Sequence, residues 1–214
     1  MRFAERLHPL APTLTLAAAC ALAAGCATRP ADTAPATATA APAPAPVDPA
    51  AQRAFDDAKR ALAAGQVAQA EQGFQTLTQT HPDLGGPHAD LGLIYRQSGK
   101  LPEAVAALEK AVRASPQQPT YLNQLGLAYR QQGRFDKARE AYEQALAIDP
   151  DYATAALNLG ILNDLYLGDS RRAVELYERY LALSPGGDAT VSKWIVDLNN
   201  RKPQRVASGQ KEKS

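Results

Sequence analysis

The sequence predicts an all-α solenoid of about four helix–turn–helix units closed by a C-terminal capping helix. Three observations predict it. Gly65, Gly99 and Gly133 stand 34 residues apart, and Ala70, Ala104 and Ala138 keep the same step, as do Pro82, Pro116 and Pro150. Inside each period, apolar and small residues fall on one helical face: Leu91, Gly92 and Tyr95, then Ala104, Leu108 and Ala111. Beyond Pro150 the marks Gly168, Ala173 and Pro185 continue with a step of 35, so the last unit carries one extra residue between Gly160 and Gly168. The units are therefore 51–84, 85–118, 119–152 and 153–187. Gly92 and Ala104, likewise Gly126 and Ala138, are small so that the paired helices can approach closely, and the proline ends the second helix. One unit cannot bury its apolar face alone, so the units stack into a superhelix with a concave side.

The two central units share a fuller pattern. His88-x-x-Leu91-Gly92-x-x-Tyr95, Ala104-x-x-x-Leu108 and Pro116 are matched by Leu122-x-x-Leu125-Gly126-x-x-Tyr129, Ala138-x-x-x-Tyr142 and Pro150. This resembles the tetratricopeptide repeat family, in which those places carry the contacts between paired helices.

The elements follow in order. Residues 1–25 read as an export signal: Arg2 and Arg6 give a positive start, and Leu14 to Ala24 is an apolar run too short to span a bilayer as a helix. The run ends in Leu22-Ala23-Ala24-Gly25-Cys26, which resembles the lipobox of bacterial lipoproteins. That resemblance implies a covalent lipid on Cys26 after cleavage and an outer-membrane anchor facing the periplasm. Ala23 departs from the leucine usual in that motif, and Cys20, preceded by three alanines, is a second candidate. These are the only two cysteines, so no disulfide can form in the body of the chain. Residues 26–50, rich in Ala, Pro and Thr, read as an extended tether, of which 27–49 alone reach about 70 Å at most.

Unit one is the weakest match, with Asp57 and Ala58 where the others have Leu-Gly, as expected of a terminal repeat; its first helix is expected near Gln52 to Ala64. Unit four has Asn163 in place of Tyr95 and Tyr129, and Tyr180 in place of Ala111 and Ala145. The larger residue at 180 predicts a different docking of the next helix. That helix, 188–200, is expected to start at Asp188 as N-cap and to lay Val191, Trp194, Ile195 and Leu198 on unit four as a cap. The remainder, 201–214, reads as a basic tail.

Composition narrows the function. A net charge of +1 points to no nucleic acid, and aromatics at 6% do not suit a large aromatic-lined pocket. His81 and His88 flank a turn with no cysteine beside them, no phosphate-binding glycine loop occurs, and Glu140 and Glu143 read as solvated helix surface. His88 stands where the family often has tryptophan, so packing is its expected role. The sequence therefore carries no enzyme signature, and neither a metal, a cofactor other than the lipid on Cys26, nor a small-molecule substrate is expected.

The family resemblance implies a concave groove lined by the first helices of the units. At its places stand an apolar row, Leu93, Leu127 and Ile161, with Asn123, Gln124 and Asn158 beside it. Arg96, Gln97, Arg130 and Gln131 flank the row, and the two arginines are expected to be exposed. Ala89 and Asp90 occupy places where some relatives clamp a terminal carboxylate with Lys and Asn, so that clamp is not reproduced. An apolar floor with amide and guanidinium flanks suits an extended or helical peptide; the row could equally be packing between neighbouring helices. The resemblances together imply a lipid-anchored adaptor that binds protein or peptide partners and serves pilus or secretion assembly, barrel assembly or cell-wall machinery. A soluble periplasmic binding module without the anchor is the alternative.

Overall fold

The computed structural model describes residues 48–201. The signal peptide, Cys26, nearly all of the tether and the basic tail beyond Arg201 lie outside the described residues. Four antiparallel helix pairs stack in chain order: α1 (Pro49–Ala63) with α2 (Val67–Thr80), α3 (Gly85–Gln97) with α4 (Leu101–Ala114), α5 (Pro119–Gln131) with α6 (Phe135–Ile148), and α7 (Ala153–Leu162) with α8 (Ser170–Leu183). Helix α9 (Ala189–Asn200) packs on α8.

The first helix starts at Pro49, earlier than the sequence reading placed it. Asp48 caps it by accepting from the Ala50 N–H at 3.1 Å, and Pro49 fills the first helical place, where its missing N–H costs nothing. The turns inside units one to three share one geometry. Gly133, at φ +74°, donates to the Arg130 carbonyl at 3.0 Å while Arg134 N–H reaches back to Tyr129 at 2.9 Å; Gly65 and Gly99 repeat the arrangement. That closure satisfies the last helical carbonyls and needs a left-handed residue, hence the glycine at every period.

Close packing of each pair rests on the glycine of the first helix. A Cβ on Gly92 would lie 2.4 Å from Leu108 Cγ, on Gly126 2.5 Å from the Tyr142 ring, and on Gly160 2.7 Å from the Tyr177 ring. All three partners are fully buried. The main core runs from Val105 to Leu176, a second cluster under unit one includes Ala58, Phe74 and Leu91, and a third joins Ala173 and Tyr177 to Val191 and Leu198 of α9.

Neighbouring units are also clasped. The Tyr95 hydroxyl accepts from Gln75 Nε2 of α2 at 3.1 Å, and the Tyr129 hydroxyl donates to Glu109 of α4 at 2.6 Å, each spanning twenty residues of sequence. Burial and the Glu109 carboxylate hold the Tyr129 phenol up at about 12. Unit four has Asn163 at that place, and its side chain turns back onto the Leu159 carbonyl at 2.8 Å. The extra residue of this unit is absorbed there, in a π-helical turn, Asn163–Leu167, which closes on the Asn163 carbonyl through Gly168 and Asp169. The insertion lies where the period predicts it. It leaves Leu165 65% exposed and sets Tyr166 against Phe135, ring centres 4.7 Å apart.

Asp188 caps α9, accepting from the Thr190 and Val191 N–H groups at 2.9 and 3.2 Å. Val191 and Leu198 are buried, and Trp194 is half-buried with its ring 5.5 Å from Tyr177, so the tryptophan packs on unit four as the amphipathic stripe predicts. Tyr180 extends toward Asp188 instead of admitting the close helix approach that Ala111 and Ala145 permit.

His88 packs, as its place predicts. It is buried, with Nε2 at 3.1 Å from the Pro82 carbonyl, and burial together with the charges of Lys110 and Arg113 outweighs that bond and holds the imidazole below its ordinary range. The neutral ring is thus favoured in the folded state. As pH falls through about 6.5 the unfolded chain takes up the proton first, so His88 favours unfolding in acid and has no such effect above that pH. His88→Gln should flatten the fall in melting temperature between about pH 6.5 and pH 5, read by calorimetry across that range.

Candidate functional site

The first helices of the units, α3, α5 and α7, carry the candidate groove. Leu93, Leu127 and Ile161 recur at one place in three successive units and are all half-buried. They are not equivalent. Leu127 packs against the main core, and Ile161, with Leu157, packs against the cluster that α9 completes; Leu93 belongs to none of the three clusters. The row is thus part floor and part inter-helix packing. Gln97 and Gln131 are exposed beside it.

Two of the expected wall residues are corrected. Asn123 and Asn158 are 1% and 8% exposed, and Asn158 Nδ2 donates to Asn123 Oδ1 at 2.9 Å. They form a buried amide bridge between units three and four, a structural bond that leaves them no face for a partner. The spacing that put them beside the row also placed them opposite each other on adjacent helices.

The arginines differ from expectation as well. Arg96 and Arg130 are half-buried rather than exposed. Arg96 Nε and Arg130 Nη1 are buried with no hydrogen-bond partner among the described residues, and so are Gln124 Oε1 and the Tyr142 hydroxyl. Leaving such an atom unpaired costs about 1–3 kcal/mol, more when it is charged. The charges lie close enough to be felt mutually. Burial holds the Arg96 guanidinium below the usual arginine range, against the opposing influence of Tyr142 and with a smaller push from the Arg130 charge. The Tyr142 phenol is pushed up to about 12 by burial, against the pull of Arg130 and Arg96.

The same place in unit four holds Asp164, 34 residues after Arg130. Its side chain is only 7% exposed and is already engaged, by Arg201 Nη1 at 3.2 Å and by the Tyr177 hydroxyl at 3.4 Å. Asp164 makes no ion pair with Arg130 among the described residues. Two participants were not singled out by sequence reasoning. Tyr142 was legible as a hydroxyl at a place where unit two has Leu108, and Asp164 as the next step of the Arg96–Arg130 period.

A family model described as TPR repeat matches residues 92–132 and again 126–163. Residues 92–163 carry tetratricopeptide repeats. Solved structures agree on the fold. TTC0263, a thermophilic TPR protein of Thermus thermophilus, is 26% identical with a TM-score of 0.58, covering 70% of this chain and 81% of that one. MamA is 23% identical with a TM-score of 0.61, covering 66% of this chain and 81% of that one. PilF of Pseudomonas aeruginosa is 21% identical with a TM-score of 0.63, covering 70% of this chain and 67% of that one. No curated protein sequence matches the chain. A tetratricopeptide solenoid is a scaffold for protein–protein contacts, made through the curved surface that its stacked units generate.

Proposed function

We propose that the protein is a lipid-anchored adaptor of the outer membrane, facing the periplasm, which holds a protein or peptide partner in its concave groove and docks it to an envelope assembly. It has no catalysis of its own. The observation that carries the binding reading is the groove surface across units two and three, where Gln97 and Gln131 are exposed and Leu93, which joins none of the core clusters, is half-buried beside them. The anchor reading is supported by Cys26 at the end of the lipobox-like run, outside the described residues. No described helix is long and apolar enough to cross a membrane. Pilus or secretion assembly, barrel assembly and cell-wall machinery are the envelope functions this reading covers.

The test uses two sets of variants. Cys26→Ser should move the protein from the membrane fraction to the soluble one and change its mobility on a gel; unchanged fractionation and mobility would remove the anchor and leave the soluble binding module. Capture of envelope proteins by the Cys26→Ser chain should be lost when Gln97→Trp and Gln131→Trp fill the groove, since both glutamines are exposed and their replacement leaves the core intact. Lys110→Glu, exposed on the outer side of α4, should leave capture alone. The reverse pattern would place the partner on the convex face.

A further inference from the structure

The first helices of units one to three surround an open cavity of about 250 Å³, well away from the arginines. Its lining comes from Gln52 and Phe55 of α1, Leu84 and Pro87 at the start of α3, and Tyr121 of α5. Two glycines let the rings in. A Cβ on Gly85 would lie 2.9 Å from the Tyr121 ring, and one on Gly86 2.8 Å from the Phe55 ring, so both rings press on the backbone of α3. The matching places of units three and four hold Pro119-Thr120 and Ala153-Thr154, which bar so close an approach. Phe55, Leu84, Gly86 and Tyr121 are only half-buried and Gln52 is exposed, so the cavity is reached from solvent.

Asp90 stands one turn along α3 from Gly86. It is half-buried and makes no ion pair among the described residues. Lys59, whose charge it feels, stands over the Phe55 ring at 5.5 Å instead. Burial holds the Asp90 carboxyl above its ordinary range against that pull, and burial with the Asp90 charge holds the Tyr121 phenol up. A carboxylate without a cation of its own therefore lies beside the two rings. Gly86, Asp90, Leu93 and Gln97 are spaced by four, three and four residues, so one face of α3 leads from the cavity into the groove.

We propose that this cavity takes an aromatic side chain from the partner's bound segment, and that a lysine or arginine next to it pairs with Asp90. The proposal rests on the groove reading above and names the residues that the groove selects. A flat ring between Phe55 and Tyr121 meets an aromatic neighbour on each side, which an aliphatic chain does not exploit, and buried aromatic anchors dominate many interfaces. A cation beside that ring neutralises a carboxylate already half out of water, and charge-assisted bonds are the strong kind. The same charge repels a chain end or an anionic surface.

The experiment uses the full-length, isotope-labelled Cys26→Ser chain and the capped peptide acetyl-Gly-Phe-Lys-Gly-amide, read by backbone amide shifts. The Gly85, Gly86 and Asp90 amides should shift saturably, with a dissociation constant of about 1 mM or tighter. The peptides acetyl-Gly-Leu-Lys-Gly-amide and acetyl-Gly-Phe-Glu-Gly-amide should bind at least about fivefold more weakly. Asp90→Asn should weaken the Phe-Lys peptide about fivefold and leave acetyl-Gly-Phe-Gln-Gly-amide as before, a split that a merely structural role would not give. Gln52→Trp, which fills the mouth from an exposed position, should abolish binding without lowering the melt. No saturable shift at those amides overturns the proposal, as does equal affinity for the Lys and Glu peptides. An Asp90→Asn chain that loses the Lys and Gln peptides alike also overturns it. Self-association of the chain that Gln52→Trp removes would give the cavity to a second copy and overturn it too. The groove reading fails separately. If Gln97→Trp with Gln131→Trp abolishes capture while Gln52→Trp and Asp90→Asn change neither capture nor peptide binding, the groove stands and only the anchor site falls.

Discussion

Gly126→Leu is expected to destabilise the repeat array by about 3 kcal/mol or more, at the upper end of what overpacking costs in a core. The glycine lies on α5 with the Tyr142 ring 2.5 Å from the place a Cβ would take. That ring is fully buried in the main core, so it has no free direction in which to retreat. A leucine must therefore part α5 from α6, and the loss spreads, because α5 and α6 also carry the contacts to units two and four. The removal of a helical glycine returns only about 1 kcal/mol of helix propensity, too little to offset the clash. Ala182→Leu, at an exposed site on α8, should leave the melt unchanged. Chemical denaturation of both variants checks the result; equal midpoints would mean that the packing of this pair does not depend on the glycine.

Val191→Asp is the second large effect, expected at about 3 kcal/mol or more because it places an uncompensated charge in a buried site. Val191 is 1% exposed in the cluster where α9 meets Ala173 and Tyr177 of α8. Val196, on the same helix, is 57% exposed, and Val196→Asp should be silent. The pair separates two roles for α9. As a cap, it covers the open end of unit four, and detaching it exposes Trp194, Ile195 and the Tyr177 face, so the variant should also gain a tendency to aggregate. As a loosely attached arm, it would tolerate both substitutions alike. Melting curves with light scattering distinguish the two outcomes.

The architecture, the pairing of the helices and the position of the inserted residue are all legible in the chain alone. They follow from requirements that one residue type meets almost alone: glycine where φ is positive or a ring presses on the backbone, alanine where helices touch, proline where a helix stops. Such constraints are local or recur at a fixed period, so a single chain displays them. The start of α1 was also legible, in the Asp48-Pro49 pair that caps and opens a helix, although the proline-rich composition around it concealed the signal.

The candidate site was legible only as a set of places on the first helices. Which of those places point outward depends on how the helices stack. Asn123 and Asn158 lie on different helices, and only the stacking angle of units three and four brings their amides to 2.9 Å and takes them out of the groove. Arg96 and Arg130 share a place in the repeat, yet their burial depends on the approach of α3 to α5, and from α6 the buried Tyr142 phenol feels both charges. Asp164, next in the same row, is drawn away by Arg201 from beyond the capping helix and by Tyr177 from α8. Periodicity assigns a residue to a face; the partner of a charge depends on distances between helices, which no single helix encodes.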